Sequence, residues 1–244
     1  MSQRVDIHNS ELPVLCRSCE ARHRGICGAL SPEQLLTLSR HTVKHTLSPE
    51  QAVPASRPAS VNYSNILKGI VKLSKMTSDG RQQIVGLQFA PDFLGRPFGN
   101  QPEVSVEAVT EVKVCSFPKS ILESLIAETP KLEHRLYEQS LRELDEAREW
   151  MLTLGRKTAA EKVASFLYLL ATHVDPEADL ESGSVSFEIP MKRSDIADFL
   201  GLTIETVSRQ LTKLRQAKVI NLTDNRLVEV PDLERLKSLS EVGT

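Results

Sequence analysis

Three of the chain's four cysteines crowd into twelve positions as Cys16-x2-Cys19-x7-Cys27, and the fourth, Cys115, stands alone. Thiolates are nucleophiles, redox couples and soft metal ligands, and four of them can close a tetrahedral zinc site or an iron–sulfur cluster. Four cysteines among 244 residues are too few for a disulfide scaffold. The spacing points to metal or redox chemistry and leaves zinc, a cluster, a reversible dithiol switch and inert thiols open. Cys115 closes the alternating run Val112-Lys113-Val114-Cys115, so a loop with three ligands would fold onto one ligand held by a strand. That division suits a sensor, because losing the metal frees the loop without dissolving the rest. A thiol oxidoreductase would place Cys16-x-x-Cys19 at a helix start in a βαβ unit, and no such pattern surrounds it. The six histidines supply no evident general base, His23 reading as a solvent-facing loop residue, so an enzyme is not expected.

A second constellation lies near the C-terminus. Met191-Lys192-Arg193-Ser194-Asp195 opens a helix with Ile196, Ala197, Phe199 and Leu200; Gly201 ends it. Thr203 then caps a second helix carrying Val207, Leu211 and Leu214. Two helices joined by a short glycine-containing turn make a helix-turn-helix, and Val219–Leu222 with Arg226–Val230 read as the strands of a wing. From Pro190 to Lys218, six basic residues oppose three acidic ones, in a chain whose net charge is −2. Glu205, Ser208 and Arg209 share one face of the second helix; Arg can take guanine, Glu can accept from cytosine and Ser can bond either class. Thr203, Thr206, Lys192, Arg193 and Lys213 are placed for further DNA contacts, largely to phosphate. The plain alternative is a solvated face with a Glu205–Arg209 i,i+4 pair worth only ~0.2–0.5 kcal/mol.

Other elements must hold these two sites. Ser31-Pro32 starts a short helix running to about Arg40, and from Thr42 to Val114 the apolar period shortens toward two. Ile66, Gly69–Leu73, Gln83–Leu87 and Val104–Val114 read as strands, punctuated by Ser78-Asp79-Gly80, Ala90-Pro91-Asp92 and Gly99-Asn100. This predicts a small antiparallel barrel or roll. After Pro118 the period is helical, and a long helix spans about Lys131–Leu154 with a narrow stripe of Tyr137, Leu141, Leu144 and Met151 between charged faces. The stripe can pack on its own domain or pair with a twin helix; the helix's length and heavy charge outside the stripe favour pairing, with Glu143, Asp145 and Glu149 as a source of repulsion that keeps the seam marginal. Gly155–Thr158 reads as a hinge, followed by an amphipathic helix from Ala159 to about Val174. Residues 1–30 are polar and short of core residues, with no 7–15-residue apolar run of the kind a signal peptide needs. The apolar-rich stretch Val163–Val174 is shorter than the ~20 residues of a spanning helix. A cytoplasmic protein with reduced thiols and no membrane partner is expected.

These residues together resemble the FNR-type oxygen-responsive transcription regulators of the CRP/FNR superfamily. The likeness covers nearly the whole chain. It rests on the three-plus-one cysteines, whose C-x2-C-x7-C spacing is similar to alphaproteobacterial members, on Asp79-Gly80-Arg81-Gln82-Gln83-Ile84 leading to Asp92-Phe93-Leu94-Gly95, and on Gly201–Arg209. The resemblance implies an α+β fold: a cysteine-rich cluster-binding segment (1–30), a cyclic-nucleotide-binding-like β-roll (31–130), a dimerisation helix (131–155) and a winged helix-turn-helix DNA-binding domain (156–244). It implies that Cys16, Cys19, Cys27 and Cys115 ligate an oxygen-labile [4Fe–4S] cluster. It further implies that Glu205, Ser208 and Arg209 read double-stranded DNA at an inverted repeat similar to TTGAT-N4-ATCAA. It implies, too, a homodimer along the long helix while the cluster is intact, and activation implies contact with RNA polymerase. The alternative keeps DNA binding but uses the cysteines as a zinc or dithiol switch. A cyclic nucleotide is not expected: Gly95 is followed by Arg96-Pro97-Phe98, and Pro102–Val106 lacks the Arg-Ser pair of the nucleotide-binding relatives. The Pro-rich 47–58 segment also lacks the glycine turns usual in their first strands.

Overall fold

The computed structural model describes residues 12–13, 16–17, 19–53, 62–97, 104–173 and 183–241. The chain divides into two compact units, one of residues 1–75 and 87–144, the other of residues 76–86 and 145–244. A 27-residue helix gives its first half to one unit and its second half to the other.

In the first unit, α1 (Glu20–His23) and a 3-10 turn (Ile26–Ala29) precede α2 (Pro32–Arg40). Ser31 and Gln34 cap α2 reciprocally, with Pro32 at the first helical position, where its missing N–H costs nothing. The strands β1 (Val43–Leu47), β7 (Val112–Pro118), β2 (Asn62–Lys68) and β5 (Phe93–Leu94) form one antiparallel sheet in that order. A second sheet has the order β4 (Gln82–Phe89), β3 (Ile70–Met76), β6 (Ser105–Ala108). The expected strand Val104–Val114 is two strands, β6 and β7, separated at residues 109–111. The Pro-rich segment lies partly outside the described residues, with Ala52 bridging to Glu107 before them.

Strand alternation sorts the first sheet into two cores. Val112 and Val114 join Leu47, Ile66 and Leu94 on the inner face, whereas Phe117 and Cys115 project to the opposite face with Tyr63 and Phe93. Leu12, Ile26, Cys27, Leu30, Leu35 and Leu38 cover that second face together with α3 (Lys119–Glu128). The described part of residues 1–30 is therefore not short of core residues: Leu12, Ile26, Cys27 and Leu30 pack on a sheet face without forming a period. His23 is half-buried with its Nε2 enclosed and unpartnered, not a freely solvated loop residue.

The second unit holds the last half of α4 (Pro130–Arg156), α5 (Ala159–His173), α6 (Arg193–Leu200), α7 (Ile204–Gln216) and α8 (Leu233–Ser240), with a sheet of order β8 (Val185–Glu188), β10 (Leu227–Val230), β9 (Asn221–Thr223). The helix α4 runs on through Gly155 and Arg156, so the break falls at Lys157-Thr158, where Thr158 and Glu161 cap α5 reciprocally. Gly201 ends α6 at φ +61°, the left-handed conformation that makes the turn of the helix-turn-helix. Trp150 and Phe166 both pack on Phe199, with ring centroids 4.4 and 6.0 Å away, and fix α6 against α4 and α5. Asp224 and Asn225 both take positive φ at the β9–β10 turn, matching the twist of a two-residue hairpin. The C-terminal α8 has no counterpart in the sequence expectations; it packs on α5. Among the described residues, no helix is long and apolar enough to cross a membrane.

On the inner face of the first sheet, the fully buried Ser64 and Ser116 share a 2.7 Å hydrogen bond. Ser116→Ala strands the Ser64 hydroxyl and should cost about 1–3 kcal/mol, while Ser64→Ala/Ser116→Ala together should cost less than the sum of the single changes. Urea unfolding of the three variants measures this; strict additivity would contradict the pairing.

Candidate metal centre and nucleic-acid interface

The centre is built on β7, the second strand of the four-stranded sheet. Antiparallel register sets Cys115 opposite Lys44 on one side and Asn65 on the other, and directly opposed residues share a face. The N-terminal segment folds onto this face: the Cys16 and Cys19 amides bond to Pro13 and Cys16 carbonyls, and the Arg22 amide to that of Cys19. Between the ligand-type residues, Gly25 lets the backbone close on itself, since a Cβ there would press on the Ala21 and Pro91 carbonyls at 2.8 and 3.0 Å. All four thiols, Cys16, Cys19, Cys27 and Cys115, line one pocket, with Arg22, Leu35, Leu38, Lys44, Asn65 and Leu67 among its other walls. No disulfide joins them.

Burial and neighbouring thiols raise Cys16, Cys27 and Cys115. Burial pushes the Cys27 thiol far up, and Cys115, Cys19 and Cys16 add to the effect; the Asn65 side-chain hydrogen bond opposes it. Cys115 is pushed up to about 12 by burial, then by Cys19 and Cys16, with Lys44 opposing. Cys16 is raised by burial and then by Cys19, and Lys44 and Arg22 oppose. A metal or cluster would supply the positive charge that lets such crowded thiols ionise. The donor set, all thiol with nearby cations and an amide donor, fits a thiolate-held iron–sulfur group. Among the described residues, no three His, Cys, Asp or Glu side chains close on one point tightly enough to hold a single ion.

At the other site, α7 has two faces. Val207, Gln210, Leu211 and Leu214 are buried, whereas Glu205, Ser208, Arg209, Thr212 and Lys213 are exposed at i, i+3, i+4, i+7 and i+8. Thr203 caps the helix by accepting from the Thr206 amide, and Arg209 donates to Thr206 Oγ1 at 3.3 Å. Among the described residues, no ion pair joins Glu205 to Arg209, so the internal pair is not formed. The Glu205 carboxyl is held low by its own amide at the helix start and by Thr203, which keeps it an acceptor. Lys192 lies exposed at the N-cap of α6. Arg193 points elsewhere: its guanidinium donates to the Asn225 carbonyl at 2.7 Å and ties α6 to the wing turn.

The helix α4 leaves its stripe open. Tyr137 is 61% exposed and Met151 73%, with Leu141, Leu144 and Leu152 also exposed. Glu143 does not belong to a repulsive row: its carboxylate accepts from Gln139 at 2.7 Å and from Gln88 at 3.2 Å. Asp145 pairs with Arg148 on the same helix. Lys44 and Asn65 were not among the residues singled out in the sequence. Only the strand register brings them to Cys115, and no spacing along the chain signals it.

A β-roll followed by a winged helix-turn-helix defines a DNA-binding transcription regulator. Residues 161–239 match the family of the Crp-like helix-turn-helix domain, and residues 60–129 that of the cyclic nucleotide-binding domain. The chain belongs to the CRP/FNR family. It is 50% identical over 240 residues to a probable transcriptional activator of Rhizobium leguminosarum bv. viciae, covering 96% of this chain and 99% of that protein. It is 40% identical over 238 residues to the transcriptional activator protein FnrL of Cereibacter sphaeroides, covering 96% and 95%. The solved structure of FixK2 from Bradyrhizobium japonicum superposes with a TM-score of 0.72 at 29% identity, over 83% of this chain and 99% of that one. The chain is accordingly a transcriptional activator of the FNR/FixK type with a DNA-binding helix-turn-helix, and not an enzyme.

The two kinds of basic residue separate in their salt dependence. Lys213→Ala should weaken DNA binding at all sequences and flatten the slope of log K against log salt by about 1, as loss of a phosphate contact does. Arg193→Ala should weaken binding through a loosened wing and leave the slope unchanged. Fluorescence anisotropy over a salt series reads both, and a flattened slope for Arg193→Ala would assign it to phosphate instead.

Proposed function

We propose that this chain is an oxygen-responsive activator in which Cys16, Cys19, Cys27 and Cys115 hold a [4Fe–4S] cluster and thereby control dimerisation and DNA binding. The observation that supports this most is the single pocket lined by all four thiols. When bound, such a cluster supplies an oxygen-labile prosthetic group, so that its presence reports the absence of oxygen.

The protein's own residues do the rest. With all four thiols engaged, residues 16–27 are pinned to β7 through Cys115, over the face that also carries Tyr63, Phe93 and Phe117. Tyr137, Leu141, Leu144 and Met151 then pair with the same residues of a second copy, burying apolar surface that is open in one chain. Pairing would present two copies of α7 about one DNA turn apart, ~34 Å, so that the site is an inverted repeat, and the family resemblance implies one similar to TTGAT-N4-ATCAA. In each half-site Glu205, Ser208 and Arg209 read base edges, with Thr203, Thr206, Lys192 and Lys213 on the backbone. A seam of a few exposed apolar groups between charged faces is weak enough for a bound group to shift, since a ligand moves an equilibrium only by its differential affinity. The roll acts without a cyclic nucleotide, because Arg96-Pro97 stands where a ribose acceptor would be needed. The setting is the cytoplasm and the further partner is RNA polymerase.

Protein purified without oxygen should bind a duplex carrying the inverted repeat, and exposure to air should lower that affinity about tenfold or more, within the range of coupled sites. Cys115→Ala should bind weakly in both conditions. Air-stable binding by wild-type protein, reversed only by a chelator or a dithiol reductant, would overturn the reading in favour of a zinc or dithiol switch.

A further inference from the structure

Asn65 lies in the middle of β2 and is 1% exposed. Its Nδ2 donates to Cys27 Sγ at 3.2 Å, and its Oδ1 is enclosed with no partner. For stability alone this is a poor arrangement. Sulfur is a weak acceptor, and an enclosed amide oxygen without a donor carries a desolvation cost that an apolar side chain of similar size would not. Leu35, Leu38 and Leu67 line the same pocket, so an apolar residue would find apolar neighbours there. The backbone register meanwhile sets Asn65 directly opposite Cys115 on β7. One residue thus holds Cys27 by its side chain and stands beside Cys115 by its strand. It links a cysteine of the N-terminal loop to the cysteine of the sheet.

We infer that Asn65 is a positioning residue of the thiolate centre: its amide N–H holds Cys27 Sγ toward Cys115 and slows the loss of whatever metal group the thiols bind. The inference rests on the reading of the four cysteines as ligands. With a metal bound, Cys27 is a thiolate and the contact becomes a charge-assisted N–H···S bond, roughly twice as strong as its neutral counterpart. Groups that bond to ligating atoms orient them and tune the centre, and hydrogen bonds to sulfur are among the levers on iron–sulfur groups.

The test uses the full chain in three forms: wild type, Asn65→Leu, and Asn65→Asp, which keeps the shape but loses the donor. Each is reconstituted with iron and sulfide without oxygen, and the visible absorbance is followed after mixing with air-saturated buffer. The metal-free proteins are titrated separately with Co(II), read by thiolate-to-cobalt charge transfer, and melted. Both variants should lose colour about tenfold faster than wild type and bind Co(II) about tenfold more weakly, while metal-free Asn65→Leu melts no lower than wild type. Unchanged decay and unchanged Co(II) affinity in both variants would overturn the inference. A lower melting temperature for Asn65→Leu with no change in either metal readout would make Asn65 purely structural and overturn it equally. If wild-type protein takes up no iron and sulfide, the cluster reading fails by itself, and the Co(II) arm still decides the role of Asn65.

Discussion

The register of β7 between β1 and β2 is the constraint on which the centre depends. It sets Lys44, Cys115 and Asn65 in one row on one face, while Val112 and Val114 point into the roll. A strand's side chains alternate, so a slip of one residue would turn Cys115 into the inner core and present Val114 to the cysteine loop. The inner face resists that slip with Leu47, Ile66 and Leu94 packed on the valines and the Ser64–Ser116 pair closed beneath them. The outer face resists it with Phe117, Tyr63 and Phe93. Cys115 is therefore held in its row by packed apolar groups on both faces of the sheet.

The second unit applies the same economy to DNA. The second helix of its helix-turn-helix buries Val207, Leu211 and Leu214 in the core and leaves a polar face exposed. Thr203 is the N-cap of the element that carries Glu205. Phe199 receives Trp150 from α4 and Phe166 from α5, so the helix-turn-helix is packed against the last turns of the long helix within one compact unit. The exposed stripe on that helix and the cysteine pocket are the two features that stability in a single chain does not explain, and the proposed function gives each a partner.

Much of this was legible in the sequence because it rests on local signals. The Ser31-Pro32 start, the helical stripe of α4, the Gly201 stop and the Thr203 cap are each decided by neighbouring residues, and the structure has them where the spacing predicts. The three-plus-one cysteines were legible as a set. What was hidden depends on contacts distant in sequence. Leu12, Ile26 and Leu30 show no period because they pack on a sheet face from short turns, so their segment read as polar. Asn65 and Lys44 meet Cys115 only through pairing across strands. Arg193 looked like any basic residue at a helix start, and only the backbone of the wing turn shows what it holds. Glu143 likewise read as a surface charge until Gln88, fifty-five residues earlier, was found bonded to it.

The central claim is that four thiols from two parts of the chain hold one group. Native mass spectrometry of protein purified without oxygen tests it most directly, because it weighs what each chain carries. The account predicts one four-iron, four-sulfide group per chain, absent from a Cys115→Ala chain prepared alongside. A chain carrying one zinc ion, or an iron–sulfur mass that persists when Cys115 is replaced, would contradict it.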